Sequence, residues 1–143
     1  MATKKLKLKI VTPERLVFEQ DVDQVTLPTK EGEITVLPDH VPLVASLASG
    51  DLVAKENGEV IPFALSGGFV EINNNEVAVL ADFAEHVADI TDDAIEKAKA
   101  RSEELKAKMN DKDHVDFEHF ESELERSLTR VKIADKWRKK KYK

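Results

Sequence analysis

The apolar pattern of this chain changes once, near Ala88, and that change limits the folds open to it. As far as Leu80, apolar residues come in short, roughly alternating runs separated by Gly, Pro and Asn, which is typical of half-buried β-strands. From Thr91 onward there is no Gly or Pro, and apolar residues recur every three or four positions, as on one face of a helix. We therefore predict an α+β chain, with an N-terminal antiparallel β-sandwich of about ten short strands over 1–88 and a C-terminal antiparallel two-helix hairpin over 89–143.

Turn residues mark the ends of the predicted strands. Asn57-Gly58 lies between two apolar runs, and both residues tolerate the positive φ angles of a two-residue hairpin turn. Ser66-Gly67-Gly68 lacks the Gly-Lys-Ser/Thr ending of a phosphate-binding loop, so we interpret its glycines as a bulge or a close approach between strands. The predicted strands cover 6–10, 16–18, 22–27, 34–37, 41–45, 52–55, 60–65, 69–72 and 77–80.

Two helices are predicted after the strands. Thr91 is placed to cap the first helix, and Asp116 is placed to cap the second after a polar break at 110–113. The predicted apolar stripes are Ile95, Ala98, Ser102, Leu105 and Met109 on the first helix, and Phe117, Phe120, Leu124, Leu128 and Val131 on the second. These stripes hold too few large apolar side chains to offset the conformational entropy lost when both helices become ordered. We therefore expect the hairpin to need the sandwich or a partner.

The net charge of −6 hides an asymmetry. Residues 130–143 hold eight Lys or Arg and one acid, a balance of +7, so the preceding 129 residues carry −13. A basic tail on an acidic body can bind nucleic acid, anionic lipid or an acidic protein surface, or it can be a solvated segment that aids solubility. Trp137 and residues 138–141 could grip phosphates, but no nucleic-acid-binding module accompanies them.

Several classes of chemistry have no residues to support them. The absence of cysteine excludes disulfides, thiolate metal sites and cysteine nucleophiles, and the four histidines lack metal-ligand spacing. Glu31 and Glu33 could form an acid/base pair, but an exposed acidic loop that contacts another protein is favoured. No apolar run approaches the roughly 18 residues of a membrane-spanning helix, and the first five residues do not resemble a targeting peptide. We predict no catalytic residue, no cofactor and no metal.

Several segments, in their order along the chain, resemble the epsilon subunit of rotary F-type ATP synthases, whose mitochondrial counterpart is called delta. Each segment alone is a weak signal, but together with the order of sandwich and hairpin they are specific, and they cover nearly the whole chain. The segments are Val11-Thr12-Pro13-Glu14, Glu31-Gly32-Glu33-Ile34-Thr35-Val36-Leu37-Pro38-Asp39-His40-Val41-Pro42-Leu43, Leu65-Ser66-Gly67-Gly68-Phe69-Val70-Glu71-Ile72, Val79-Leu80-Ala81-Asp82 and Asp116-Phe117.

The resemblance implies a non-catalytic central-stalk subunit that couples the catalytic head to the proton-driven c-ring, at the cytoplasmic face of the cell membrane. The sandwich would bind the gamma subunit and the ring of c subunits, so that the membrane is contacted only through the complex. By matching positions, the family's c-ring contact falls on Glu31 and chiefly Glu33, and a gamma contact falls near His40. The hairpin would lie on the sandwich, or extend along gamma towards the alpha and beta subunits and block ATP hydrolysis.

The second helix of the family, when extended, faces an acidic loop of the catalytic beta subunits. Arg126, Arg130 and Lys132 match that role, which gives the basic tail a protein partner and leaves no need for nucleic acid. The alternative is a free-standing β-sandwich binding module whose basic tail binds nucleic acid. Neighbouring genes for other synthase subunits would separate the two functions.

Two segments depart from the family pattern. Asp39 stands where many relatives have glycine before the histidine, a change expected to affect that turn. The family's nucleotide motif, Ile/Leu-Asp-x-x-Arg-Ala, falls on residues 90–95, where its aspartate is replaced by Thr91 and its arginine by Ala94. Asp92 and Asp93 in the same turn would repel phosphates, so we expect no ATP binding.

Overall fold

The computed structural model of this protein describes residues 4–109 and 117–140. The strands are β1 Leu6–Val11, β2 Leu16–Val22, β3 Gln24–Thr29, β4 Gly32–Val36, β5 Leu43–Ser46, β6 Gly50–Glu56, β7 Glu59–Asn73 and β8 Glu76–His86. A 3-10 turn, Val87–Asp89, leads to two helices, α1 Asp92–Met109 and α2 Phe117–Lys140. The break predicted at 110–113 and the cap predicted at Asp116 lie outside the described residues.

The strands form a β-sandwich-like sheet in the order β2-β1-β8-β7-β6-β3-β4, with β5 paired to β7. The pairs are antiparallel except for β1 and β8, which run parallel and join the first strand to the last. Alternate side chains point into one apolar core, as the period of two predicts. Fully buried members include Leu6, Leu8, Ile10, Leu27, Leu52, Phe63, Leu65, Val77 and Val79. The predicted sandwich is confirmed.

The described residues form eight strands rather than about ten, because one predicted break does not interrupt the pairing. Residues 60–65 and 69–72 belong to the single strand β7, which pairs with β8 on both sides of Gly67 and Gly68. Gly67 has a φ of +68° and Gly68 a φ of +106°, which glycine adopts most readily. A Cβ on Gly68 would lie 2.0 Å from the backbone oxygen of Leu80. The interpretation of these glycines as a close approach between strands is confirmed.

Thr91 caps α1 as predicted. Its Oγ1 accepts the backbone N–H of Ala94 at 3.0 Å, and its carbonyl accepts the N–H of Ile95 at 3.0 Å. The predicted seam of α1 is buried at Ile95, Ala98, Ser102 and Leu105. Contacts pair the end of α1 with the start of α2, and the start of α1 with the end of α2, so the two helices form the predicted antiparallel hairpin.

The buried face of α2 differs from the predicted stripe. Leu128, a member of that stripe, is 40% exposed, and Val131 is only partly buried. The residues that α2 does bury are Ser127, Thr129, Ile133, Ala134 and Trp137. The stripe was predicted for packing against α1 alone, whereas α2 packs against both α1 and the sandwich, so its buried face is rotated towards β7.

An apolar cluster, which we name the docking cluster, joins the hairpin to the sandwich. It consists of Ala64, Phe83, Val87, Ile90, Ile95, Ile133, Ala134 and Trp137. Its members come from β7, β8, the 3-10 turn and both helices, so it is separate from the sandwich core. The sandwich therefore provides apolar burial that packing between the two helices alone does not provide.

Polar contacts surround the docking cluster. Asp51 Oδ2 accepts the indole N–H of Trp137 at 2.9 Å and lies 2.7 Å from Lys136 Nζ. Arg138 Nη2 donates to the carbonyl of Ile90 at 3.1 Å. A buried indole N–H needs an acceptor, so Asp51 specifies where the ring of Trp137 sits on the sandwich.

Replacement of Trp137 by alanine should release the hairpin while the sandwich stays folded. Trp137 is 8% exposed, and removal of a buried tryptophan costs about 3–5 kcal/mol. Hydrogen exchange should become faster in α1 and α2 and stay unchanged in β1 and β8. The matched control is Leu128→Ala on the exposed side of α2, where a change of about 0.5 kcal/mol is expected. Equal protection of the helices in both variants would contradict the assigned role of the docking cluster.

Candidate functional site

The predicted c-ring contact lies at the hairpin between β3 and β4, with Glu31 in the turn and Glu33 as the second residue of β4. Glu31 and Glu33 are exposed on either side of Gly32, whose φ of +125° suits glycine. Thr29 Oγ1 accepts the backbone N–H of Glu31 at 3.3 Å and donates to the carbonyl of Gly32 at 2.5 Å. Thr29 therefore ties this acidic loop to the end of β3, which is an arrangement suited to contact with another protein.

His40, the predicted gamma contact, closes a β-turn that begins at Leu37. The carbonyl of Leu37 accepts the N–H of His40 at 3.1 Å, and His40 Nδ1 donates to the carbonyl of Val41 at 2.7 Å. Asp39 occupies the third position of the turn with a φ of +67°, the left-handed conformation that glycine usually supplies there. Lys4 Nζ lies 2.8 Å from Asp39 Oδ2, and this contact, aided by the amide of Asn75, lowers the pKa of the Asp39 carboxyl.

The two predicted contacts lie at opposite ends of β4. Glu31 precedes the strand and Glu33 is its second residue, whereas the turn 37–40 follows the strand. At about 3.3 Å per residue, the four steps from Glu33 to the start of the turn span roughly 13 Å. The structure therefore does not bring Glu33 and His40 together, and each can meet a different partner.

An exposed apolar row crosses the outer face of the sheet. Phe69 pairs with Leu80, Leu80 pairs with Val11, and Val11 pairs with Leu16, so β7, β8, β1 and β2 each contribute one side chain. Phe69 is 57% exposed and Leu80 is 56% exposed. We name these four residues the apolar row. Adjacent exposed apolar side chains of this size are typical of surfaces that bind another protein.

The apolar row was not predicted from the sequence. Its signal is the pair of consecutive apolar residues in Phe69-Val70 and again in Val79-Leu80, where a half-buried strand should alternate. Val70 and Val79 supply the buried members of these pairs, which leaves Phe69 and Leu80 on the outer face.

The three cations predicted to meet the beta subunits do not share one surface. Arg130 pairs with Glu85 at 3.3 Å and lies over the ring of Phe83, 5.1 Å from its centroid. Arg126 lies 5.4 Å from the same centroid and donates to the carbonyl of Asp82 at 3.5 Å. Lys132 is exposed. In the docked hairpin Arg126 and Arg130 therefore bind the sandwich, and Lys132 faces solvent.

A groove between α1 and α2 collects several cations that lie far apart in the sequence. Its volume is about 450 Å³, and we name it the arginine groove; its charged lining residues are Lys97, Arg101, Glu123, Arg126 and Arg130, with His119 beside them. Arg101 contacts both oxygens of Glu123, at 2.6 and 3.1 Å, and also lies 3.0 Å from Glu104. This convergence was not predicted from the sequence.

Ion pairing within the arginine groove shifts the titration of its groups. The Arg101 guanidinium lowers the pKa of Glu123, and Glu123 with Glu104 raises the pKa of Arg101. Because the pKa of Glu123 is lowered on folding, its pairing stabilises the hairpin at neutral pH. That contribution is lost as the pH falls through the folded-state pKa.

Neither a metal site nor a membrane span is found in the part of the chain that the structure describes. Across residues 4–109 and 117–140, no three His, Asp or Glu side chains are grouped as metal ligands. No helix in these ranges is long and apolar enough to cross a membrane.

Comparison with known proteins places these features in a family. The family model for the "ATP synthase, Delta/Epsilon chain, beta-sandwich domain" matches residues 5–87. The ATP synthase epsilon chain of Nitratidesulfovibrio vulgaris is 43% identical over 130 residues, which cover 91% of this chain and 96% of that one. The ATP synthase epsilon chain of Dehalococcoides mccartyi is 44% identical over 137 residues, which cover 94% and 96%.

Solved structures show the same fold in larger assemblies. A chain in the mitochondrial ATP synthase of Euglena gracilis, solved with its c-ring, superposes with a TM-score of 0.68 at 26% identity, over 87% of this chain and 78% of that chain. A chain from the central stalk and c-ring of the Tetrahymena thermophila mitochondrial ATP synthase superposes with a TM-score of 0.58 at 17% identity, over 95% and 98%. The second likeness concerns the fold alone.

Titration calorimetry with millimolar MgATP should give no saturable heat. Arg101 and Arg130 are already paired with carboxylates, and Thr91 and Ala94 supply neither the acid nor the cation of the nucleotide motif. The comparison variant is Thr91→Asp with Ala94→Arg, which restores the aspartate and the arginine of that motif and should bind more tightly than the natural chain. A micromolar dissociation constant for the natural chain would overturn this prediction.

Proposed function

The chain belongs to the ATP synthase delta/epsilon family, and on that premise we propose that it is a central-stalk subunit that couples the catalytic head to the c-ring and inhibits ATP hydrolysis. As an epsilon chain it is a non-catalytic subunit of an enzyme complex. The observation that carries the proposal is the match to epsilon chains along nearly the whole chain, through both the sandwich and the hairpin.

The sandwich is the part assigned to assembly. The apolar row supplies an exposed surface suited to a protein partner, and the gamma subunit is the partner we assign to this face together with His40. The acidic loop with Glu31 and Glu33 lies at the far end of β4, where it is free to meet the c-ring. The subunit would then sit at the cytoplasmic face of the cell membrane and reach it only through the complex.

The hairpin is the part assigned to inhibition. In the docked position Arg126 and Arg130 contact Phe83, Glu85 and the carbonyl of Asp82. These cations must leave the sandwich before they can meet an acidic loop of the catalytic beta subunits. The docked hairpin therefore corresponds to the non-inhibiting position, in which Arg126 and Arg130 already have partners on the sandwich.

The alternative, a nucleic-acid-binding tail on a free-standing sandwich, finds less support. Four cations of α2 contact groups of the sandwich or of the linker before α1, and so do not form one solvent-facing basic surface. They are Arg126, Arg130, Lys136 and Arg138. A phosphate backbone binds best to cations that are grouped and exposed.

Termination of the chain after Ala88 should separate assembly from inhibition. The sandwich core contains no residue beyond Ala84, so the shortened chain should fold and keep gamma binding, while ATP hydrolysis by the assembled complex rises. Gamma binding is measured by co-purification and hydrolysis by phosphate release. Circular dichroism against the full chain controls for folding. A folded but non-binding truncation would refute the division between sandwich and hairpin.

Charge reversal at Arg126, Arg130 and Lys132 should weaken inhibition, and more so at low salt, because exposed charges are screened over about 8 Å at physiological ionic strength. Lys132→Glu alone is the cleanest variant, since the exposed Lys132 forms no ion pair with the sandwich among the described residues. Lys106→Glu, an equal reversal on the exposed side of α1, is the matched control.

The outcome that contradicts this role of the cations combines two measurements. Hydrolysis by the assembled complex would be unaltered by the Lys132→Glu variant, and the natural chain would shift DNA or RNA in a gel at physiological salt. That pair of results would favour the nucleic-acid-binding alternative.

A further inference from the structure

The turn that carries His40 contains an aspartate in a backbone conformation that suits glycine. Pro38 and Asp39 are its second and third residues, and the φ of +67° at Asp39 is the signature of a type II turn. An aspartate there is less favourable than glycine unless something outside the turn holds it. The source of that support is Asn75, which is 36 positions away in the sequence.

Asn75 forms a two-way contact with Asp39. The backbone N–H of Asp39 donates to Asn75 Oδ1 at 2.5 Å, and Asn75 Nδ2 donates to Asp39 Oδ1 at 3.3 Å. Lys4 holds the other carboxylate oxygen of Asp39 at 2.8 Å. Both the backbone and the side chain of Asp39 are therefore fixed from outside the turn.

Asn75 is itself held in place by the sandwich. It lies in the two-residue turn between β7 and β8, where Asn74 has a φ of +50° and Asn75 a φ of +60°. Its carbonyl accepts the N–H of Lys7 in β1 at 2.8 Å. One residue thus connects the β7–β8 turn, the start of β1 and the turn that carries His40.

We propose that Asn75 is a positioning residue, which holds the Leu37–His40 turn in the one conformation that the partner of His40 recognises. Asn75 stabilises Asp39 in the backbone conformation that a glycine at position 39 would adopt without support. The inference rests on the proposed function, in which His40 contacts the gamma subunit. It goes further by assigning a role to a residue outside that contact, and by predicting that the need for Asn75 disappears when position 39 is glycine.

The test uses the full chain in four variants. Asn75→Gly removes the amide but tolerates the positive φ of the turn. Asn74→Gly is the matched control, because it changes the neighbouring turn residue, which also has a positive φ, and leaves the Asp39 contact intact. Asp39→Gly and the double variant Asp39→Gly with Asn75→Gly test the rescue. Binding to purified gamma subunit, the melting temperature and the nuclear magnetic resonance signals of His40 are measured for each variant.

The expected pattern is a loss of binding that a second substitution restores. If Asn75→Gly leaves the turn in its binding conformation one tenth of the time, the apparent dissociation constant rises about tenfold. The double variant, Asp39→Gly and Asn74→Gly should bind like the natural chain. The His40 signals should move in Asn75→Gly relative to the natural chain, and they should be the same in the double variant as in Asp39→Gly, whose substitution next to His40 changes them directly. A general structural role would instead lower the melting temperature in Asn75→Gly without rescue by Asp39→Gly.

Failure of this inference and failure of the proposed function give different results. If the natural chain binds gamma and Asn75→Gly binds equally well, or the double variant is not rescued, the role of Asn75 is overturned. If the natural chain does not bind gamma, the proposed function fails. The His40 signals then decide the inference, because unchanged signals in Asn75→Gly overturn it, and signals that shift in Asn75→Gly but agree between the double variant and Asp39→Gly support it.

Discussion

The close crossing of β7 and β8 at Gly68 is the contact on which the arrangement of both functional surfaces depends. A Cβ at this position would meet the backbone oxygen of Leu80, so any other residue would push the two strands apart. With glycine, the ladder continues past the crossing. On one side of it Ala64 and Phe83 face the helices, and on the other side Phe69 and Leu80 lie next to each other in the apolar row. One pair of strands therefore supports the hairpin and also presents a surface to a partner.

This arrangement keeps the surface that binds the hairpin apart from the surface proposed to bind a partner. The docking cluster and the apolar row lie on different stretches of the same strands, so the partner proposed for the apolar row would not cover the docking cluster. The cations of α2 are placed differently, because Arg126 and Arg130 are bound to the sandwich in the docked hairpin. The sandwich binds these two arginines through carbonyl and carboxylate oxygens, and an acidic partner would also offer carboxylate oxygens. Arg126 and Arg130 cannot contact the sandwich and such a partner at the same time.

Features set by neighbours in the sequence were predicted, and features set by distant contacts were not. Thr91 caps α1 and Asn57-Gly58 forms a hairpin turn because each depends on a few adjacent residues. The buried face of α2 depends on packing against Phe83, and the periodicity of the α2 sequence carries no information about that contact. The apolar row requires the pairing register of four strands, and the support of Asp39 comes from Asn75 across 36 positions. Only an alternation broken at Phe69-Val70 pointed towards the apolar row.

The contact between Arg138 and Ile90 makes the hairpin a closed ring. The two residues are 48 positions apart, and the carbonyl of Ile90 lies in the short linker between the sandwich and α1. The last turns of α2 are thus fastened to the base from which α1 starts. In the proposed release of the hairpin, this contact would have to break together with the docking cluster and the contacts of Asp51, because all of them hold the same end of α2. We therefore expect the release to be cooperative, with few intermediate positions populated.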